Sequence, residues 1–102
     1  MEFEFRAKMW LYNGSGPWHF LTVPKKISAE IEDMTTGLKA GFGSVKVEAQ
    51  VGTTIWKTSI FPQASSSAYI LPIKKEVRKA QSLELEKPFR LKLKILGIEP
   101  RH

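Results

Sequence analysis

Strict alternation of apolar and polar side chains predicts most of the strands in this chain. Between residues 2 and 12 every second side chain is apolar, and Glu, Arg or Lys occupies most of the positions between them. Residues 44–51 and 89–96 alternate in the same way. A period of two residues is typical of a strand with one buried and one exposed face. With three less regular apolar segments, the predicted strands are residues 2–12, 18–23, 44–51, 54–61, 68–71 and 89–96.

Two short helices are predicted between these strands. Apolar residues recur at helical spacing in residues 25–35 and again in residues 73–82, and a proline, Pro24 or Pro72, ends the strand before each. Such spacing places the apolar residues on one stripe of a helix. The stripes consist of Ile27, Ile31 and Met34 in the first helix and of Ile73, Val77 and Ala80 in the second.

The order of these elements is a strand, strand, helix, strand unit that occurs twice. The strand, proline, lysine pair and helix that begin at Phe20 resemble those that begin at Tyr69. Because neither half would bury its sheet alone, we expect both to close one small barrel. The prediction is a single domain over residues 1–102, mainly β, with six strands, two short helices and two ββαβ halves, pseudo-repeats 2–51 and 53–96. Chance similarity between the two junctions is the alternative to a true duplication.

Composition excludes several classes of function. The 102 residues are enough for one hydrophobic core. The absence of Cys excludes disulfides, a thiolate zinc site and a cysteine nucleophile, and two His with one Asp make no ligand set for a metal. We therefore expect no metal and no cofactor. The first residues lack the apolar core of a signal peptide, and no apolar run approaches the ~20 residues of a membrane helix. A cytoplasmic location, without membrane contact, is expected.

His19 is the residue on which an enzymatic hypothesis would rest. A proton-transferring histidine needs a nucleophile or a carboxylate partner. The single aspartate, Asp33, lies on a charged face of the first predicted helix, where it is expected to be solvated. The alternative is that His19 is an exposed or hydrogen-bonded structural residue. We predict that the protein is not an enzyme.

The excess of basic residues, a net charge of +6, is concentrated at the two helix entrances and on the outer face of the last strand. Such cations could contact the phosphates of a nucleic acid or another anionic partner. The alternative is that solvated lysines keep the protein soluble and protect strand edges. The candidate contact residues are Lys25, Lys26, Lys74, Lys75, Arg78, Lys79, Arg90, Lys92 and Lys94.

The glycine-rich segment 37–43 superficially resembles a phosphate-binding loop. It leads into a strand rather than a helix, so no helix N-terminus would face a phosphate. We interpret it as a connection between elements.

Aromatic residues are the other candidate ligand contacts. We expect most of Trp18, Phe20, Trp56, Phe61, Tyr69 and Phe89 to lie in the core of so small a barrel. The alternative is that a few line a pocket for a small ligand or peptide, with Trp18, His19, Trp56 and Tyr69 as candidates. Trp10 and Tyr12, on the outer face of the first strand, could stack on bases or pack beneath a helix.

Four stretches of the chain resemble the bacterial family called domain of unknown function 1905. They are PWHFLTVP at 17–24, GFGSVKV at 41–47, TIWKTSIFP at 54–62 and YILPIKKEVRKA at 69–80. The resemblance spans residues 3–96 and implies a double-split barrel of two ββαβ halves. It implies no activity.

Two loops depart from that family's pattern. Glu86-Lys87-Pro88 stands where the family usually has a Gly-Asp pair. Ser65, Ser66, Ser67 and Ala68 stand where glycines are often found.

The segment LPIKKEVR at 71–78 is also similar, more distantly, to the AbrB-like transition-state regulators. Those are DNA-binding dimers of ββαβ-type units, and one chain with two such units would imitate the dimer. This is an analogy of fold, which does not establish function.

Three functional hypotheses follow. The first is a non-enzymatic binding module whose ligand is unknown, and the second is an AbrB-like nucleic-acid-binding protein. The third is a small enzyme that uses His19. We expect a monomer, since two halves in one chain already form a pseudo-dimer.

Overall fold

The computed structural model describes residues 1–12, 18–36 and 43–97. Its strands and two short helices confirm the predicted mainly β fold class. The elements are β1 (Glu2–Ala7), β2 (Met9–Leu11), β3 (His19–Thr22), α1 (Lys25–Thr35), β4 (Val45–Val51), β5 (Thr54–Gln63), β6 (Ala68–Pro72), α2 (Lys75–Ala80) and β7 (Phe89–Ile95). Residues 37–42 of the glycine-rich segment lie outside the described residues.

All seven strands form one antiparallel sheet in the order β1-β7-β4-β5-β6-β3-β2. Its two edge strands are consecutive in the chain, with only Lys8 between them. One segment therefore pairs at both edges: residues 2–7 pair with β7, and residues 9–11 pair with β3. This arrangement curls the sheet into a small barrel. The predicted first strand is thus correct in extent but divided in two.

The segment that follows α2 packs against this division. The backbone N–H of Glu86 donates to the carbonyl oxygen of Met9 at 3.3 Å, and Leu85 forms a parallel bridge with Met9. The Lys8 ammonium lies 3.5 Å from the Glu86 carboxylate. These contacts supply partners for backbone groups that the broken strand would otherwise leave without a sheet neighbour.

β5 is shared between two neighbours in the same manner. Residues 54–60 pair with β4, and residues 61–63 pair with β6. β3 and β6 pair with each other, with Leu21 directly opposite Leu71. The second half of the chain therefore repeats the pairing pattern of the first. That pseudo-repeats 2–51 and 53–96 arose by duplication stays a prediction.

The barrel is filled by the inward side chains of the alternating strands. The largest of them that are fully buried include Leu21, Ile60, Leu71, Leu91 and Leu93. In α1 the predicted stripe faces the core, with Ile31 buried and Ile27 and Met34 packed against the buried cluster. Burial of these apolar surfaces supplies the main favourable term in folding.

The second helix is shorter than predicted. Ile73 is buried, but it precedes the helix, because Lys74 has extended backbone angles with φ −74° and ψ 159°. Val77 is buried as predicted, whereas Ala80 is exposed, so its inward assignment was wrong. In the described part of the chain, neither helix has the length and apolar character needed to span a membrane.

The two loops that depart from the family pattern both contain a residue in the left-handed backbone region. Ser67 has φ 54° and Glu86 has φ 65°. Glycine adopts this region without steric penalty. Ser67 and Glu86 therefore occupy backbone positions that glycine would adopt more readily.

We predict that Ile60→Ala lowers the free energy of unfolding by about 2–5 kcal/mol, because it leaves a cavity in the core. Ile55→Ala, on the same strand, should lower it by no more than about 1 kcal/mol, the span of strand propensities. Ile60 is 0% exposed and Ile55 is 57% exposed. Urea unfolding of both variants measures the difference. Equal losses would contradict the assignment of the inner face of β5.

Candidate functional site

Four aromatic rings form a cluster on the outer face of β2 and β3. Phe20 is at its centre, with ring centroids 5.3 Å from Trp10, 6.1 Å from Tyr12 and 6.1 Å from Trp18. The register of the hairpin places Trp10 directly opposite Phe20. Trp10 and Tyr12 share one face because they are two residues apart, as do Trp18 and Phe20. The cluster therefore follows directly from strand geometry.

The orientation of the Trp10 ring is fixed by a hydrogen bond. Its Nε1 donates to the Thr22 hydroxyl at 2.9 Å. The Trp18 and Phe20 rings are stacked, with an angle of 11° between their planes. Ring contacts of this kind restrict side-chain rotation before any ligand is present.

Several aromatic rings are exposed to solvent rather than buried. Trp18 is 55% exposed, Tyr12 48% and Phe61 39%. The expectation of core aromatics is correct for Trp56 and Tyr69, which are buried, and wrong for Trp18 and Phe61. The reason is that both rings lie on the outer side of the sheet, Trp18 beside β3 and Phe61 near the end of β5. There they line the same concave surface.

We call that concave surface the aromatic groove. It is a depression of about 810 Å³ across β2, β3, β5 and β6. Its apolar lining consists of Trp10, Tyr12, Trp18, Phe20, Phe61, Ile70, Pro72 and Leu96. Its polar lining consists of Lys46, Lys57, Thr58, Ser59 and Gln63. A largely apolar concavity with a few polar groups is the usual form of a ligand site.

A second depression, the basic groove, adjoins the first. It has a volume of about 510 Å³ and lies between the beginning of β3, the first half of β5 and the beginning of α2. The two grooves share Trp18, Lys57, Thr58 and Pro72, so they are continuous. The remaining lining of the basic groove is His19, Trp56, Ile73, Lys74, Lys75 and Arg78.

Arg78 is held in place on the wall of the basic groove. Its Nε donates to the carbonyl oxygen of Ile73 at 3.2 Å, and its Nη1 lies 3.2 Å from the Nε2 of His19. A guanidinium has only donors, so in this contact the His19 Nε2 accepts. The imidazole therefore acts here as a support for a fixed positive charge.

Of the four predicted pocket residues, Trp18, His19 and Trp56 line the basic groove, and Tyr69 lies elsewhere. The Tyr69 hydroxyl donates to the Glu32 carboxylate at 2.7 Å. Its backbone N–H donates to the Ser28 hydroxyl at 3.1 Å. These bonds join β6 to α1, so they hold Tyr69 in a different part of the molecule.

The nine candidate cations fall into three groups. Lys74, Lys75 and Arg78 line the basic groove. Lys25, Lys26 and Lys79 are exposed and line neither groove. Arg90, Lys92 and Lys94 form the predicted stripe on β7.

Carboxylates flank the β7 stripe. Arg90 Nε lies 3.3 Å from the Glu4 carboxylate. Lys94 stands opposite Glu2 on one side and opposite Glu48 on the other. Because these acids balance the charge of the stripe locally, it does not form a basic surface of its own.

Sequence reasoning missed Lys46 and Lys57 as site residues, and it assigned Phe61 to the core. Alternation places Lys57 on the face opposite the buried Trp56, which is the local signal for its outward position. No local signal shows that β5 passes from β4 to β6, which places Phe61 beside β6, the strand that also pairs with β3. Among the described residues, no group of three His, Asp or Glu side chains is arranged to hold a metal ion.

We predict that the two tryptophans of the basic groove differ in their effect on stability. Trp56 is 7% exposed, so Trp56→Ala should lower the free energy of unfolding by about 3–5 kcal/mol. Trp18→Ala should lower it by no more than about 1.5 kcal/mol, the value of one ring pair. Denaturant unfolding followed by circular dichroism measures both. A large loss for Trp18→Ala would mean that this ring is structural.

The comparisons with known proteins bear on the family alone. No curated protein matches the chain. The family model described as Domain of unknown function (DUF1905) matches residues 5–93 of the 102. This match begins within β1, ends within β7 and includes the residues of both grooves except Leu96. The chain belongs to the DUF1905 family.

Proposed function

We propose that the protein is a non-enzymatic binding module whose ligand site is the aromatic groove. The observation that carries the proposal is the exposure of Tyr12, Trp18 and Phe61 on one concave face. Apolar surface left in water is unfavourable by roughly 25 cal/mol per Å². Clustered exposed apolar surface of this kind marks a site that another molecule covers.

The arrangement of the rings favours a flat, apolar ligand group. Trp18 and Phe20 are stacked, and Tyr12 meets Phe20 edge-on, so the groove presents ring faces in more than one direction. The Trp10 indole is held by Thr22. Because these side chains are already ordered, little rotational freedom is lost when a ligand binds, which favours affinity.

The polar groups of the aromatic groove could recognise and orient a ligand. Lys46, Lys57, Thr58, Ser59 and Gln63 offer hydrogen-bond donors and acceptors at its side. A small number of such groups orients a ligand in an otherwise apolar site. The proposal takes the protein to be a cytoplasmic monomer. An enzyme that uses His19 stays a separate and weaker hypothesis.

The second candidate is an AbrB-like nucleic-acid binder. It is favoured by Lys74, Lys75 and Arg78, which line one depression continuous with the aromatic groove. The β7 stripe gives it little support, because Glu2, Glu4 and Glu48 lie beside that stripe.

The proposal predicts that neutral planar fragments such as indole and purine bind the full chain. In NMR titrations they should shift the indole N–H signals of Trp10 and Trp18. The double variant Trp18→Ala/Phe61→Ala should weaken binding at least about tenfold, since each ring contact contributes about 0.5–1.5 kcal/mol. Ile55→Ala, which removes an exposed apolar residue outside the groove, is the control and should leave binding unchanged. Absence of shifts at millimolar fragment, or shifts that persist in the double variant, would refute the proposal.

A further inference from the structure

The aromatic and basic grooves form one continuous depression with two different chemistries. Trp18, Lys57, Thr58 and Pro72 belong to both. One part offers ring faces and the other offers positive charge. A single occupant of both parts must therefore carry flat apolar groups and negative charge in the same molecule.

The charge of the depression is of one sign. Among the described residues that line it there are five cations and no carboxylate. Glu48 stands opposite Lys57 in the β4–β5 register and balances that charge in part, as it does the charge of Lys94, although it lines a separate depression of about 250 Å³. The five cations are Lys46, Lys57, Lys74, Lys75 and Arg78. Like charges that line one concave surface attract anions and repel one another in their absence.

These cations are spread along the depression rather than gathered at one point. Lys46 lines only the aromatic groove, Lys57 lines both grooves, and Lys75 lies in the basic groove alone. A ligand with one anionic group would engage one of these places. A ligand with a repeating anion would engage all of them.

The flat surfaces are repeated as well. Trp18 stacks on Phe20 at β3, and Phe61 lies two strands away on β5, since β6 pairs with both. The depression therefore accommodates more than one planar group. Repeating planar groups on a repeating anionic backbone are the chemistry of a nucleic acid.

We infer that the depression binds a single strand of nucleic acid, with bases on the aromatic groove and phosphates along the cations. This rests on the proposed function, in which the aromatic groove is the ligand site. Only a single strand presents unpaired base faces to protein rings, because the bases of a duplex are stacked on one another. The structure thus favours a single strand over the duplex expected of an AbrB-like protein.

The test is the fluorescence anisotropy of labelled oligomers of eight uridines and eight thymidines, titrated with the full chain at ~50 mM salt. Both should bind, with a steep fall in affinity as salt rises, since neutralised phosphates release counterions. Trp18→Ala should weaken binding about tenfold, the effect of one lost stacking contact, without changing the salt slope. Trp18→Phe should restore most of the affinity.

Two double lysine variants distinguish phosphate contacts in the depression from the general effect of the protein's positive charge. Lys74→Ala/Lys75→Ala should weaken binding and reduce the logarithmic salt slope by about 1.4, two contacts of about 0.7 each. Lys92→Ala/Lys94→Ala removes the same charge from the β7 stripe and should change affinity less than about twofold. Equal effects of the two pairs would overturn the inference. Urea unfolding confirms that each variant is folded.

Two further ligands complete the test. An abasic strand of equal length carries the same charge without bases, and it should bind at least about tenfold more weakly. If it binds equally well, or if duplex DNA binds more tightly, the inference is overturned. If the strands fail to bind while neutral planar fragments bind in a Trp18-dependent manner, the inference falls and the proposed function stands. If neither class binds, both fall.

Discussion

The pairing of residues 2–11 at both edges of the sheet is the constraint on which the rest of the structure depends. Residues 2–7 pair with β7 and residues 9–11 pair with β3, although these partners stand far apart in the strand order. The sheet satisfies both pairings only by curling until its edges meet. That curl encloses the core on one face, and the two grooves lie on the other.

Much of this fold could be predicted from local patterns in the sequence. Alternation identifies the inward residues of β4 and β7, because a period of two depends only on the strand itself. It does not reveal that one strand changes partners, as happens at Lys8 and along β5. Partner exchange depends on residues distant in sequence, so no local pattern reports it. The outer positions of Trp10 and Tyr12 were predicted correctly. Phe61 was assigned to the core, although alternation from the buried Trp56 and Ile60 places it on the outer face.

Local patterns are equally unable to show which basic residues lie together in the folded protein. In the sequence, Lys75 and Lys92 are equally good candidates for contact with an anion. In the structure, Lys92 stands opposite Glu4 across the β1–β7 pairing and lines a depression together with Glu2 and Glu48. Lys75 lies in a groove lined by cations and aromatic rings. The register between strands, which sequence alone did not supply, is therefore what separates a solvated stripe from a candidate site.

The candidate site and the closure of the barrel are built from the same strands. Leu21 of β3 lies in the core, and its neighbour Phe20 lies at the centre of the aromatic cluster. Trp10 belongs to β2, the strand that closes the sheet, and Tyr12 directly follows that strand. Phe61 belongs to β5, on the far side of the groove. The pairings of β2 with β3, β3 with β6 and β6 with β5 therefore hold the aromatic groove together as well as the barrel.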